Sequence, residues 1–172
     1  MRGKFLLALT LAAIPATVTL SFRPALAHGD IVTMKENYTP GTIVVRTAER
    51  RLYYVTGYGG QAIRYPVGVG RAGKQWSGTT SIAAKYIKPD WAPPAVVRHD
   101  HPGLPKVIRG GSPRNPMGVA ALQLATGEYA IHGTNQPGSI GGFVSYGCIR
   151  MYNEDIRDLY NRVSVGTTVV VR

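Results

Sequence analysis

Apolar and polar residues alternate along most of the chain after Gly41, and the apolar positions are rich in β-branched and aromatic side chains. In TIVVRTAERRLYYVTG, two such runs flank the charged turn 48–51, which predicts a β-hairpin. Residues 61–69, QAIRYPVGV, predict a third strand, in which Pro66 indicates an edge position or a local irregularity. GVAALQL and YAIHG predict two more strands, and TTVVVR predicts a last one.

One helix is predicted near the end of the sequence. Asn153 is expected as its N-cap, and Glu154 and Asp155 place negative charge in the positively polarised first turn. Apolar side chains then follow at helical spacing and predict one buried face: Ile156, Leu159, Tyr160 and Val163. About seven short strands against one helix favour a mainly β domain, a mixed sandwich or barrel.

The segment from Gly70 to Pro105 is rich in glycine and proline and contains one apolar alternation, TTSIAAKYI. We expect one strand inside a long loop that covers a functional site as a lid. Trp76 and Trp91 are either lid residues that stack on a substrate or ordinary core residues, and Trp91 is the substrate-binding candidate. His99 and His101 flank Asp100 in this loop, but no further ligand lies close in sequence, so we expect no metal site.

The first 27 residues predict a secretory signal peptide, with Arg2 and Lys4, an apolar run and an Ala25-Leu26-Ala27 cleavage signal. An uncleaved membrane anchor is the alternative. After cleavage we expect an exported protein of the periplasm or cell envelope, without stable membrane insertion. Residues 28–40 form an N-terminal extension, and residues 41–172 form one domain.

The chain carries 20 lysine and arginine residues against 9 acidic ones, a formal charge of +11. Such a protein is attracted to anionic polymers, and export excludes nucleic acid as the partner. The basic residues are scattered and form no run of five or more, so no polybasic tail is predicted. Anionic lipid and an acidic wall polymer both stay open as partners, and the modest interpretation is a solvated surface that prefers anionic polymers.

Cys148 is the only cysteine, so no internal disulfide can form. His132 ends a predicted strand sixteen residues earlier, and a glycine-rich connection separates the two. A thiol needs a nearby base to react at neutral pH, and imidazole has a suitable pKa. Gly147 permits an unusual turn, and the N–H groups of Gly147 and Cys148 are candidate oxyanion donors.

HGTN followed by SYGCIRM resembles the catalytic signature of the L,D-transpeptidase (YkuD-type) family. Four upstream blocks, IVVRTAERRLYYV, YPVGVGR, PDWAPP and NPMGVAALQL, are similar to the rest of that family's catalytic domain. The resemblance implies a sandwich-like mixed β fold over residues 41–172, with one helix after the catalytic cysteine. It implies a cofactor-free enzyme that remodels peptidoglycan, and such enzymes are carbapenem targets.

The resemblance also implies a role for each matched residue. Cys148 would be the nucleophile and His132 the general base and acid, with its imidazole oriented by the carbonyl of Gly133. The oxyanion hole would be formed by Gly147, Cys148 and Tyr146.

Ser145 and Arg150 would support the site. Arg150 favours the thiolate and binds a substrate carboxylate, or it pairs with Asp155 or Glu154 in a structural role, and the sequence leaves both open. The chain departs from the family at Tyr146, where many members have histidine. It also departs at WSGTTSI, where members usually have a Thr-Pro-x-Gly turn, so its lid differs.

In the implied reaction the cysteine attacks the third residue of a stem tetrapeptide, D-alanine leaves, and an amine resolves the acyl-enzyme. The acceptor is another stem peptide, giving 3→3 cross-links, an outer-membrane lipoprotein or a free D-amino acid. Hydrolysis of the same acyl-enzyme and a catalytically silent wall-binding module are the alternatives. We assume a monomer.

Overall fold

The computed structural model describes residues 29–172, so the expected signal peptide lies outside the described residues. Within this range the chain forms eleven β-strands and two α-helices. The strands are Asp30–Thr33 (β1), Ile43–Arg46 (β2), Arg51–Val55 (β3), Gln61–Pro66 (β4), Val69–Gly70 (β5), Gly78–Ile87 (β6), Ala120–Leu124 (β7), Ala130–His132 (β8), Phe143–Ser145 (β9), Ile149–Arg150 (β10) and Thr168–Val171 (β11). The helices are Ala95–Asp100 (α1) and Asn153–Arg162 (α2).

Nine strands form one mixed sheet in the order β1-β4-β3-β2-β11-β6-β7-β8-β10, and β5 pairs with β9 in a separate ribbon. The ten-residue strand β6 joins two parts of the sheet. Its first residues pair with β11, and after an irregularity at Ile82 the rest pairs with β7. A bulge of this kind bends a strand, so one strand serves two differently oriented partners.

A single apolar core draws on both parts of the sheet and on α2. Ile43 and Val45 of β2 face this core, whereas Val44 points to a smaller cluster on the opposite face, as the two-residue period of a strand requires. Ile156 and Leu159 of α2 are fully buried in the main core. The mainly β fold with one main helix is therefore confirmed.

The β2–β3 hairpin and strands β7, β8 and β11 lie where the alternation predicts them. The structure has more strands than the predicted seven, because β1, β5, β9 and β10 are two to four residues long and carry no alternation of their own. β1 lies in the expected N-terminal extension and pairs with β4. A short helix, α1, also lies in the expected lid loop.

Of the two alternatives given for Pro66, the structure shows the irregularity and not the edge position. Strand β4 lies between β1 and β3, and the predicted run 61–69 is interrupted after Pro66. Pro66 is tolerated as its last residue, since β1 pairs only with positions 61–64. The N-cap of α2 is Tyr152 rather than Asn153, whose side chain binds elsewhere.

Lys85 of β6 binds the C-terminal end of α2. Its ammonium donates to the carbonyls of Tyr160 and Val163, with N–O distances of 2.7 and 2.6 Å. It also lies 4.1 Å from the centre of the Tyr160 ring. A cation at this end satisfies carbonyls that have no partner within the helix and interacts favourably with the helix dipole.

We expect Lys85→Met to lower the free energy of unfolding by about 1–2 kcal/mol, because it removes two charge-assisted hydrogen bonds and the helix-end cation. Denaturant titration measures the change. Lys106→Met is the matched control: Lys106 is exposed, and its loss should stay within about 0.5 kcal/mol. Equal effects of the two variants would show that Lys85 does not stabilise the end of α2.

Candidate active site

Strands β8 and β10 bring the predicted nucleophile and base to one edge of the sheet. They pair in parallel, with Ile149 opposite Ile131 and Arg150 opposite His132. Continuing this register by one residue places Cys148 beside Ala130. Alternate residues of a strand share a face, so Cys148 and His132 lie on the same face, diagonally across neighbouring strands.

The cysteine loop, residues 143–150, is also held from its other side. Arg150 and Gly68 exchange both backbone hydrogen bonds, with N–O distances of 2.8 and 2.9 Å. The N–H of Arg71 donates to the carbonyl of Ser145 at 2.9 Å. The loop is therefore fixed between β8 and the chain that forms β5.

The Ser145 hydroxyl organises the turn that carries the nucleophile. It donates to the carbonyl of Cys148 at 2.6 Å and accepts the N–H of Gly147 at 3.1 Å. This buried contact agrees with a supporting position for Ser145. It argues against Gly147 as an oxyanion donor, because its N–H is already bound. Among residues 29–172 no acceptor is found for the N–H of Cys148, which leaves it as the candidate donor.

The Tyr146 hydroxyl is bound to a carboxylate outside the cysteine loop. It donates to Asp100 at 2.7 Å, and Arg71 donates to the same carboxylate oxygen at 2.7 Å. The Arg71 guanidinium lies 4.0 Å from the centre of the Tyr146 ring. Hydrogen bonds from Tyr146, His99 and Arg71 hold the pKa of Asp100 far below its usual value. The Tyr146 hydroxyl is thus engaged by Asp100, which argues against its predicted role in the oxyanion hole.

These contacts form the Asp100 cluster: Asp100, Arg71, Tyr146 and His99. His99 Nδ1 lies 3.1 Å from Asp100, so this histidine binds the carboxylate at the end of α1. Residues 29–172 contain no group of three or more His, Cys, Asp or Glu side chains that could hold a metal ion. The cluster joins the cysteine loop to residues 88–105, which are here called the lid segment.

Trp76 and Tyr129 support the same loop; the sequence indicated Trp76 only as a lid or core residue and did not indicate Tyr129. Trp76 Nε1 donates to the carbonyl of Gly147 at 2.9 Å, and its ring stacks on Tyr129 with centres 4.9 Å apart. Gly147 has a φ of +123°, and a Cβ added there would lie 2.4 Å from Tyr129 Cε1. Glycine is thus required at 147 both for its conformation and for the close approach of this ring.

Asn153 fixes the turn that orients the predicted base. Its side-chain oxygen accepts the N–H groups of Val119 and Thr134 at 3.3 and 3.1 Å, and its amide donates to the Thr134 carbonyl at 3.0 Å. The preceding carbonyl, that of Gly133, lies 2.6 Å from His132 Nδ1. A Cβ on Gly133 would lie 2.3 Å from the Asn153 oxygen, so this position also requires glycine.

Burial holds His132 in its neutral form. Desolvation, aided by the charge of Arg150, lowers its pKa from 6.5 to about 4, although the carbonyls of Gly133 and Pro116 act in the opposite direction. In the neutral ring the short contact assigns the proton to Nδ1, which leaves Nε2 as the proton acceptor. The geometry therefore suits a base that is unprotonated at neutral pH.

Cys148 rests as a thiol. Burial raises its pKa, and the charge of Glu128 acts in the same direction, whereas the Ala130 backbone and Arg150 lower it. The hydrogen bonds among residues 29–172 do not include one between Cys148 Sγ and the His132 ring. The thiol is therefore not activated by a direct hydrogen bond to the imidazole in this structure.

Arg150 lies close enough to Cys148 and His132 for its charge to act on both. Burial lowers the pKa of Arg150, and the charge that opposes this is that of Cys148, not that of Asp155 or Glu154. Its Nε is buried without a hydrogen-bond partner in the described part of the chain. These observations favour action at the sulfur over the structural pairing.

A groove of about 540 Å³ opens at Cys148. The lid segment supplies Pro89, Asp90, Trp91, Ala92 and Pro94 to its wall, and β7 and the β7–β8 turn supply much of the rest. Trp91 is held there by backbone hydrogen bonds of 2.8 Å in both directions with Ile108. Cys148 therefore lies in a groove that contains the expected aromatic residue.

Residues 40–171 match the family of the L,D-transpeptidase catalytic domain, YkuD. The chain belongs to this family. It is 42% identical over 135 residues to a protein named Probable L,D-transpeptidase YbiS of Escherichia coli, covering 74% of this chain and 43% of the relative. It is 39% identical over 137 residues to Probable L,D-transpeptidase ErfK/SrfK of Escherichia coli, covering 75% and 43%. The match thus spans less than half the length of these relatives.

Solved L,D-transpeptidase structures share the fold of this catalytic domain. L,D-transpeptidase 3 from Mycobacterium tuberculosis superposes with a TM-score of 0.57 at 16% identity, covering 76% of this chain and 60% of the other. The catalytic domain of the Enterococcus faecium enzyme, acylated by ertapenem, has a TM-score of 0.57 at 18% identity, with coverage of 76% and 95%. The resemblance carried by HGTN and SYGCIRM is confirmed.

We expect Gly147→Ala to reduce labelling of Cys148 by a carbapenem by at least tenfold, because the added methyl collides with Tyr129 and displaces the turn. Mass spectrometry over time measures the rate. Gly59→Ala is the matched control, since Gly59 also has positive φ but has nothing within 4 Å of the added carbon. Equal loss in both variants would attribute the effect to backbone strain alone.

The buried neutral His132 predicts a loss of stability in acid. Its folded pKa is about 4 and its ordinary value 6.5, so the unfolded chain binds the extra proton first. This contribution is fully present above about pH 6.5 and is lost as the pH falls through about 4, by on the order of 3 kcal/mol. Denaturant titrations of wild type and His132→Gln across this range should diverge. Parallel curves would contradict the assignment.

Proposed function

We propose that this catalytic domain is an exported L,D-transpeptidase that acts on peptidoglycan stem tetrapeptides in the periplasm or cell envelope through a Cys148 acyl-enzyme. The observation that carries the proposal is the placement of a neutral imidazole and the single thiol on one face of adjacent strands, with the thiol in a groove. Family membership supports the same chemistry. Among residues 29–172 no helix is both long and apolar enough to cross a membrane.

In the first half-reaction Cys148 Sγ attacks the carbonyl carbon of the third stem residue. The thiol proton passes to His132 Nε2 and then to the nitrogen of D-alanine as the C–N bond breaks. The Nδ1–H bond to the Gly133 carbonyl keeps the ring oriented and stabilises the imidazolium that forms. The N–H of Cys148 is the oxyanion donor that the geometry leaves available.

Arg150 stabilises the sulfur while it carries negative charge, which offsets part of the effect of burial on the thiol. In the second half-reaction an amine attacks the thioester and Cys148 is released. The amine belongs to another stem peptide, giving 3→3 cross-links, to a lipoprotein or to a free D-amino acid. The groove opens to solvent at Cys148, so hydrolysis by water is the second candidate function.

Incubation of disaccharide-tetrapeptide with the enzyme separates these reactions, because mass spectrometry distinguishes cross-linked dimers, exchanged D-amino acids and hydrolysed tripeptide. Supplying each acceptor in turn identifies the one used. A catalytically silent wall-binding module would yield the unchanged tetrapeptide, with retention on peptidoglycan as its only activity.

A carbapenem should add one drug mass per chain, and Cys148→Ala should abolish the adduct. His132→Ala should slow acylation by roughly 10²–10⁴-fold, the range for loss of a general base, while the far-UV circular dichroism stays unchanged. Tyr146→Phe is the comparison variant and should cost far less, since its hydroxyl binds Asp100. A folded wild-type protein that stays unmodified, or a His132→Ala variant that acylates at the wild-type rate, would overturn these roles.

A further inference from the structure

The lining of the groove at Cys148 contains carboxylates but no basic side chain, in contrast to the basic chain as a whole. The chain has a formal charge of +11, yet among the described residues that line the groove there are two carboxylates, Asp90 and Glu128, and no lysine or arginine. A lining of this kind favours a cationic group over an anionic one. The net positive charge of the chain is therefore not a guide to the charge of the groove that would contact the reacting part of the substrate.

The two carboxylates differ in their partners. Asp90 accepts from Arg109 at 2.5 Å and from the N–H of Gly110 at 2.7 Å, so its charge is already compensated. Glu128 is exposed, and the salt bridges and side-chain hydrogen bonds among residues 29–172 include none to its carboxylate. Glu128 is thus the groove carboxylate that remains able to bind a cation.

Glu128 also lies next to the nucleophile. It belongs to the turn between β7 and β8, and its backbone carbonyl is 4.0 Å from Cys148 Sγ. Its negative charge raises the pKa of the Cys148 thiol, which opposes formation of the thiolate. A carboxylate at this position destabilises negative charge on the sulfur in both half-reactions. It can therefore favour the reaction only at a step in which positive charge appears beside the sulfur.

We propose that Glu128 is a specificity-determining residue that binds the amino group of the acyl acceptor in the groove beside the Cys148 thioester. This inference rests on the proposed function, which supplies the thioester. The acceptor class that fits is a primary amine that arrives as an ammonium ion. A carboxylate within reach of the thioester raises the local concentration of such a group and disfavours anionic competitors.

Positive charge develops on a nitrogen atom only when an amine attacks the thioester. The ammonium first releases one proton to solvent, and the neutral amine then adds to the thioester carbon and becomes positively charged. The C–S bond breaks, and the second proton passes through His132 to Cys148 Sγ, which gives an amide and a free thiol. Attack by water on the same thioester builds no ammonium, so Glu128 favours transfer over hydrolysis.

Partitioning of one acyl-enzyme between amine and water tests this directly, because both products form after acylation and their ratio is independent of its rate. The probe is a disaccharide-tetrapeptide whose third residue carries a side-chain amine, used as both donor and acceptor. Glu128→Gln should lower the ratio of dimer to hydrolysed tripeptide by about two- to fivefold, as for a partly exposed charge pair. Glu128→Lys should lower it further.

Two further measurements separate this effect from a structural one. Carbapenem acylation should proceed in Glu128→Gln at least as fast as in wild type, because no ammonium takes part and the thiolate becomes easier to form. Raising the salt concentration should lower the dimer-to-tripeptide ratio of wild type but not of Glu128→Gln, since salt screens the charge pair. The matched control, Asp30→Asn, removes one charge from β1 at the opposite edge of the sheet. It should change neither the rate of carbapenem acylation nor the dimer-to-tripeptide ratio.

The outcomes are distinct. A lower ratio with unimpaired carbapenem acylation supports the assignment of Glu128. An unchanged ratio overturns it while leaving the acyl-enzyme chemistry intact, and slower acylation by the tetrapeptide with an unchanged ratio assigns Glu128 to the donor instead. A wild-type protein that forms no acyl-enzyme overturns the proposed function, and this inference with it.

Discussion

The parallel pairing of β8 with β10 is the constraint on which the site depends. It aligns Arg150 with His132 and places Cys148 one residue before the paired strand. Only two residue pairs make this ladder, so it needs support from outside the sheet. That support comes from Gly68, which exchanges backbone hydrogen bonds with Arg150, and from the ribbon of β5 and β9. Two short ladders and one isolated bridge thus position Cys148, the proposed nucleophile.

The electrostatics of this site oppose ionisation of the thiol before a substrate binds. The Cys148 thiol, which is partly exposed in the groove, and the buried His132 imidazole both remain neutral, because desolvation raises the pKa of the thiol and lowers the pKa of the imidazole. Arg150 assists the sulfur, whereas Glu128 opposes it. One of these side chains lies on β10 and the other in the β7–β8 turn, so two separate segments contribute the charges that act on the thiol.

The sequence predicted those parts of the structure that depend on the pattern of neighbouring residues. The hairpin, β7, β8, β11 and the buried face of α2 follow from alternation and helical spacing, and Cys148 and His132 follow from the motif that contains them. The supports of the site could not be predicted in this way. Trp76 reaches Gly147 across 71 positions, and Asn153 reaches Val119 across 34. Such contacts exist only after the chain has folded, and polar side chains adopt roles that their nearest neighbours do not indicate. Asn153 shows this, because its position suggests a cap and its oxygen binds two backbone groups of other segments.

The Asp100 cluster has a consequence for exchanging segments of this protein. Tyr146, Arg71 and the carboxylate of Asp100 come from three distant parts of the chain and share their hydrogen bonds and a cation–ring contact. A histidine in place of Tyr146 would be shorter and would leave the guanidinium and the carboxylate without their common partner. The three positions are therefore physically coupled, and a chimaera that exchanges the cysteine loop alone would separate Tyr146 from Arg71 and Asp100.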